Sequence, residues 1–293
     1  MSTLFTGISE LRTVSEGGTL NDAAIIAQSG TIAWVGPASE APAADEKVDL
    51  GGRAVLPGWV DSHTHMVFDG DRSAEFEARI SGGSYEAGGI AVTMDATRQA
   101  GTDRLDQLVA DRVAAGRRGG TTTFETKTGY GLNTESEVEA AKVASRHVDD
   151  VTFLGAHLVP PGVDAEEYLD EVVGPMLEGV APYVQWIDVF CERGAFNEEQ
   201  SRRVLEAGKK LGLGLRVHGN QLGEGPGVAL AVELGAASVD HVNHLTDEDV
   251  ELLANSDTVA TMLPACDLST REPLAPGPVS YTHLRAHETR GNL

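Results

Sequence analysis

Residues 54–65 read AVLPGWVDSHTH, an extended apolar run that ends in two histidines two positions apart. Side chains alternate along a strand, so His63 and His65 point the same way and both imidazoles can meet one cation. Such a pair alone is a modest signal, because His-x-His also occurs on wet surfaces. The pattern downstream gives it weight. From Ala54 onward, short β-branched runs alternate with amphipathic helical stretches, the rhythm of βα units around a parallel sheet. The runs are AVLPGWVDSH, TTTFET, VTFLGAH, WIDVFCE, LRVHGN, SVDHVNH and TVATMLPA. This α/β pattern predicts a (β/α)8 TIM-type barrel, a fold that keeps its active site at the C-terminal ends of its strands. The histidine pair falls at such an end.

Seven runs are one short of the eight strands of a closed barrel. The expectation is therefore an incomplete barrel over residues 54–277, truncated before strand eight. Residues 278–293, PVSYTHLRAHETRGNL, break the rhythm and read as a non-native tail. Residues 1–53 hold short alternating segments, with Ser29-Gly30 placed between two of them as a hairpin turn, and predict a small antiparallel β unit of sandwich type. Thr134 with Glu137, and Asn197 with Gln200, have the spacing of capping boxes at helix starts. The connection from Met66 to about Thr102, which contains GGSYEAGG, is longer than a barrel needs between strand and helix. It leaves the histidine pair directly, so it reads as a loop covering a substrate.

Composition narrows the function classes. Asp and Glu outnumber Lys and Arg by 45 to 22, a formal charge of −23, and such a surface repels nucleic acid and anionic lipid. Two cysteines are too few for a disulfide framework and suit a reducing compartment, with the cytoplasm as the default. The N-terminal residues lack a basic stretch followed by an apolar run, and no run is long enough to cross a bilayer. The expected partner is a small molecule, neither nucleic acid nor membrane, and the expected assembly is a homodimer.

The other histidines support a metal site. His157, His218 and His241 each lie at or near the end of a strand run, whereas His147 does not. A lone histidine so placed is more often a hydrogen-bonded structural residue, but several around one barrel converge on one rim. His244 reads as a solvent-facing loop residue. A catalytic metal needs about three protein ligands and an open position, where it activates water and polarises a carbonyl. WIDVFCE carries no Lys to bridge two ions, so one divalent ion is the simpler reading. GEGPGV at 223–228 lacks the spacing of a dinucleotide fingerprint. Cys191, beside Glu192, reads as a buried structural thiol.

With these residues in view, the chain resembles the imidazolonepropionase family of the amidohydrolase superfamily over nearly all of residues 1–277. The stretches that carry the resemblance are LPGWVDSHTHMVFDGDRSAEF, TTTFETKTGYGLNTESE, TFLGAHLVPP, DVFCERGAF and VHGNQLGEGPGVALAVELGAASVDH. The resemblance implies hydrolysis of a cyclic amide in histidine breakdown, with zinc or iron on His63, His65 and His218. It implies a last ligand, an Asp ending the eighth strand, that this sequence does not carry, so the chain as written is expected to be inactive. It also implies that Arg72 and Tyr130 hold the substrate and that His157 contacts its ring. Arg72 suits a carboxylate as a two-pronged partner, against the alternative of a surface ion pair with Asp69 or Asp71. Tyr130 has the alternative of packing beside Gly129 and Gly131. Gln221 stands where some members carry Glu and reads as a hydrogen-bonding group for the substrate, while His241 is the candidate to polarise the carbonyl or move a proton. The competing readings are another amidohydrolase, such as an aromatic-ring deaminase, and a non-catalytic fragment.

Overall fold

The computed structural model describes residues 1–14, 18–73, 76–77, 89–275 and 286–288. The chain divides into two compact units, Met1–Trp59 and Val60–Leu293.

The first unit is one four-stranded sheet in the order β3-β2-β1-β4, made of β1 (Ser2–Arg12), β2 (Thr19–Gln28), β3 (Thr31–Pro37) and β4 (Glu46–Val55). The β2–β3 turn is the expected hairpin, with Ser29 and Gly30 both at positive φ (53° and 78°), as a type I′ turn requires. The antiparallel expectation needs correction, because β4 pairs parallel with β1. Nor do the described residues form a sandwich. Alternation within each run gave the strands but carried no information on the direction of a partner reached by a longer connection. Ile8, Leu11 and Ala23 form the core of this sheet.

The second unit contains a parallel sheet whose strands follow chain order from β5 to β12. Its elements are β5 (Trp59–Asp61), α1 (Gly89–Arg118), β6 (Thr121–Lys127), α2 (Thr134–Ala144), β7 (Asp150–Ala156), α3 (Ala165–Glu171) and α4 (Leu177–Val180). They continue with β8 (Trp186–Cys191), α5 (Glu198–Lys210), β9 (Gly214–Gly219), α6 (Gly227–Leu234), β10 (Ser238–His241), α7 (Asp247–Ala254), β11 (Val259–Met262), α8 (Pro264–Thr270) and β12 (Ala286–Glu288). This βα alternation fits a TIM-type barrel.

All seven runs read from the sequence contain sheet strands, with one shift at the start. Ala54 and Val55 end β4, and the barrel strand begins only at Trp59, after Pro57 and Gly58 interrupt the ladder. Seven of the sheet's strands come from the runs, and the eighth is three residues long. Ala286–Glu288, inside the segment read as a tail, pairs parallel with β11 through Ala260↔Ala286, Thr261↔His287 and Met262↔Glu288. The edge of β11 offers unpaired backbone groups to any extended segment, and three residues are too few to show periodicity. The remainder of 278–293 lies outside the described residues.

The long connection after Met66 is shorter than it reads. GGSYEA, residues 82–87, lies outside the described residues, but Gly89 onward is helical, with a break at Gly101 (φ 70°, ψ 164°) that only glycine adopts readily. No helix among the described residues is long and apolar enough to cross a membrane.

Helices pack on the sheet closely enough to exclude side chains at some positions. A Cβ on Gly208 of α5 would sit 2.9 Å from Ile187 Cβ of β8. Overpacking costs about 1–3 kcal/mol, against a helix-propensity gain of about 1 kcal/mol for replacing glycine. Gly208→Ala should therefore lower the urea midpoint, and an unchanged or higher midpoint would show that α5 and β8 have slack at this contact.

Candidate metal centre

The site begins with a buried ionic cluster inside the barrel. Lys127, the last residue of β6, is fully buried. Its Nζ lies 3.0 Å from Glu125 Oε1, 3.0 Å from Asp188 Oδ2 of β8 and 3.6 Å from Asp240 Oδ2 of β10. Burial alone would lower the pKa of the ammonium, but the three carboxylates outweigh it and the pKa is raised. Asp188 and Asp240 feel burial in the opposite sense, and neighbouring groups, led by His218 for Asp188 and by Lys127 for Asp240, lower both. These groups are therefore charged in the folded protein.

Two of the carboxylates face histidines. His63 Nδ1 is 2.7 Å from Asp240 Oδ2, and His218 Nδ1 is 3.0 Å from Asp188 Oδ2. The His63–Asp240 contact has hydrogen-bond geometry and favours the tautomer with its proton on Nδ1, which frees Nε2 as a lone-pair donor. His218 Nδ1 and Asp188 Oδ2 meet at ion-pair distance without that geometry. The third histidine is set by the chain after β5. Thr64 donates its backbone N–H to Glu125 Oε2 (3.1 Å) and its hydroxyl to Glu125 O (2.6 Å), while Lys127 N–H donates to Thr64 O (2.9 Å). With Thr64 turned toward β6, strand alternation puts His63 and His65 together on the other side, their ring centroids 5.2 Å apart.

One ligand atom from each of His63, His65 and His218 falls within 4.8 Å of the other two. His65 Nε2 and His218 Nε2 are 3.4 Å apart. Two imidazole nitrogens on one tetrahedral ion at about 2.0–2.1 Å would be about 3.4 Å apart. His65 Nδ1 is buried without a hydrogen-bond partner. An all-imidazole set above an acidic cluster suits a divalent transition metal.

The other expected site residues surround this triad to different degrees. His241 ends β10 at φ 80°, 5.2 Å between ring centroids from His218 and 5.3 Å from His63. His157, just past β7, lies nearly parallel to His65 at 5.7 Å and donates Nδ1–H to Gly129 O at 2.9 Å. The Tyr130 ring is 5.8 Å from His65 and 5.5 Å from His157. Arg72 is near enough for its charge to lower the His157 pKa. Of its two candidate ion-pair partners, Asp69 is engaged by Arg104 at 3.2 Å and Asp71 accepts from Ser73 N at 2.8 Å. Gln221 is anchored through its backbone N–H to Glu192 Oε2 at 2.8 Å. His147 stands apart, 3.1 Å from Asp106, and His244 is half-buried. Both cysteines are free, and burial pushes the Cys191 thiol up.

Several contributors were not singled out from the sequence: Lys127, Glu125, Asp188, Asp240 and Glu192. Their signal was present as charged residues inside runs that otherwise read as buried strand, TTTFETK, WIDVFCE and SVDH. A charge in such a position is tolerated only when paired.

The chain matches no family model. Among curated proteins, it is 63% identical to an imidazolonepropionase of Arthrobacter sp. over 288 residues, covering 94% of this chain and 72% of that protein. It is 64% identical to the imidazolonepropionase of Saccharopolyspora erythraea over 274 residues, covering 93% of this chain and 71% of that one. The chain belongs to the imidazolonepropionase family. The fold is shared with solved structures of low sequence identity. A triazine hydrolase from Arthrobacter aurescens matches with TM-score 0.71 at 16% identity, covering 99% of this chain and 72% of that one. A guanine deaminase from C. acetobutylicum, solved with bound guanine, matches with TM-score 0.69 at 12% identity, covering 99% and 74%. An adenosine deaminase from Xanthomonas campestris, solved with zinc, matches with TM-score 0.67 at 17% identity, covering 99% and 69%.

The buried histidines give this imidazolonepropionase-family chain a definite response to acid. Burial lowers His157 to about 4 and His241 to about 3, and holds His63 and His65 well below the usual histidine range. In the unfolded chain each titrates near about 6.5. Between these values the unfolded state binds more protons, so stability is complete above about pH 6.5 and is lost as pH falls toward the folded values. The thermal midpoint of metal-free protein should drop as pH is lowered from 7 to 5, and the drop should be shallower in His241→Asn. A midpoint flat across that window would mean that these rings do not lie buried and neutral.

Proposed function

We propose that the intact enzyme hydrolyses 4-imidazolone-5-propanoate to N-formimidoyl-L-glutamate, with one divalent ion, zinc or iron, held by His63, His65 and His218; the Asp ligand expected on strand eight has no counterpart in Ala286–Glu288. The observation that carries this reading is the convergence of three imidazole nitrogens, two of them backed by carboxylates, in a chain 63% identical to a curated imidazolonepropionase. The ion would activate water and polarise the ring carbonyl.

A single ion is supported by Lys127. Its ammonium already occupies the space among Glu125, Asp188 and Asp240, the carboxylates that a second cation would need.

The chain's own groups then divide the remaining work. Arg72 presents two parallel N–H donors to the propanoate carboxylate, and Tyr130 closes the same side of the substrate. His157 has its Nδ1–H committed to Gly129 O and is neutral at pH 7, so its Nε2 is an acceptor for a ring N–H. Gln221 adds an amide with one donor and one acceptor face. His241 is also neutral, and its Nδ1 is buried without a hydrogen-bond partner. It is the group available to take a proton from water and return it to the ring nitrogen as the C–N bond breaks. In the net reaction, water adds its oxygen to the carbonyl carbon and its proton to the departing nitrogen. Two free cysteines support a reducing compartment such as the cytoplasm.

Metal content and turnover test the two halves separately. His63→Ala/His65→Ala should reduce bound metal from about one ion per chain to a trace, because two of three inner-sphere bonds are lost. Mass spectrometry of the metal decides, and full retention would put the ion elsewhere. Arg72→Lys should keep its metal and lose about tenfold or more in kcat/KM, since a point charge replaces a fork. Unchanged kcat/KM would assign the carboxylate to another residue.

A further inference from the structure

The loop after β6, residues 128–132, carries Tyr130 and the carbonyl that receives His157, and two charged side chains outside the reading above grip it from opposite sides. Glu137, buried in the first turn of α2, accepts three backbone N–H groups: Gly129 on Oε2 at 2.8 Å, and Gly131 and Leu132 on Oε1 at 2.7 and 2.9 Å. Arg98 of α1 takes the opposite polarity. Its Nε donates to Gly131 O at 2.6 Å and its Nη2 to Leu132 O at 3.0 Å.

The loop needs such a grip, because Gly129 (φ 106°) and Leu132 (φ 51°) both hold left-handed conformations, and for Leu132 this is a strained one. Glycine is also required sterically, since a Cβ on Gly129 would lie 3.2 Å from Leu154 Cβ and one on Gly131 would lie 3.0 Å from Glu137 Oε1.

Helix capping does not account for Glu137. The spacing of Thr134 and Glu137 reads as a capping box, but the N-cap is Asn133, whose side chain accepts Ser136 N–H at 2.9 Å. The Glu137 carboxylate is spent on the loop instead. What the loop then presents is one face of the site: the Tyr130 ring against His65 and His157, and the Gly129 carbonyl that fixes the His157 tautomer.

We propose that Glu137 and Arg98 are positioning residues for substrate specificity, holding Tyr130 and the His157 tautomer in the arrangement that receives the imidazolone ring. This rests on the assignment of Tyr130 and His157 to the substrate.

The test compares Glu137→Gln, Arg98→Lys and Tyr130→Ala with the parent chain in metal content, kcat, KM and affinity for 3-(imidazol-4-yl)propanoate as an unreactive probe. A glutamine replaces one acceptor oxygen with a donor and cannot serve all three N–H groups. Glu137→Gln should retain its metal and most of its kcat, raise KM about tenfold and weaken the probe by a similar factor. In ¹⁵N NMR, the His157 ring should lose its pure Nδ1–H signature, a readout that needs no turnover. Arg98→Lys keeps the charge, loses the two-carbonyl fork and should move the same quantities, so it carries the test if Glu137→Gln does not fold. A purely structural role would instead lower the melting temperature and the active fraction, with KM and tautomer unchanged, and that result overturns the proposal. If Tyr130→Ala raises KM while neither loop variant does, the proposal fails alone. If no variant moves KM, the assignment of Tyr130 fails and takes the proposal with it.

Discussion

The contact on which the site depends is the Lys127 ammonium among Glu125, Asp188 and Asp240, in the dry interior of the barrel. Each of these charges would be costly to bury alone, and a buried ion pair is weak evidence for added stability. Its contribution here is geometric. Because Lys127 and Glu125 belong to β6, Asp188 to β8 and Asp240 to β10, the cluster ties alternate strands to one point. Each carboxylate then has an oxygen in a fixed place from which to direct a neighbour: Asp240 toward His63, Asp188 toward His218, and Glu125 toward Thr64 between the two histidines of the pair.

This arrangement also sets protonation. Burial and the nearby Lys127 ammonium disfavour imidazolium at His63 and His65, while a carboxylate at Nδ1 of His63 favours the neutral tautomer that exposes Nε2. A surface of formal charge −23 has little to do with this. The local field is made by a few charges in a low-dielectric interior, where Coulomb interactions are several-fold stronger than in water.

The sequence showed the barrel well because its strands are short, β-branched and separated by helices with clear starts, such as the capping box of Asn197 and Gln200 on α5. It also showed the histidines, since a strand end is a position that periodicity can locate. It showed polar contacts poorly. Glu137 had the right spacing for a capping box and serves a different set of N–H groups, because spacing cannot say which donors a side chain reaches after the loop before it has folded back. Lys127 was passed over for a related reason. A bridging lysine is expected on β8, whereas the ammonium that matters reaches Asp188 of β8 from β6, a contact between residues far apart in sequence. The parallel β1–β4 pairing and the β11–β12 ladder escaped similarly, since backbone hydrogen bonding leaves almost no mark on composition.

The same division separates what orients the three histidines from what orients the groups proposed to meet the substrate. The three histidines stand at or just beyond strand ends and take their orientation from charges inside the barrel, below the level of any bound ring. The groups assigned to the substrate stand on loops and take theirs from separate carboxylates: Glu137 for the loop of Tyr130, and Glu192 for the backbone of Gln221. The described residues show no direct hydrogen bond or ion pair between Glu137 or Glu192 and the Lys127 cluster. A change in loop length or in one loop anchor can therefore re-aim a substrate contact without disturbing the tautomer of His63 or His218. The reverse does not hold. Loss of Lys127 would leave three buried carboxylates facing one another, at least one would take up a proton, and where that is Asp240 or Asp188 the charge facing His63 or His218 would be lost. The three-histidine site thus depends on charges inside the barrel, whereas the loops above it depend on separate anchors of their own.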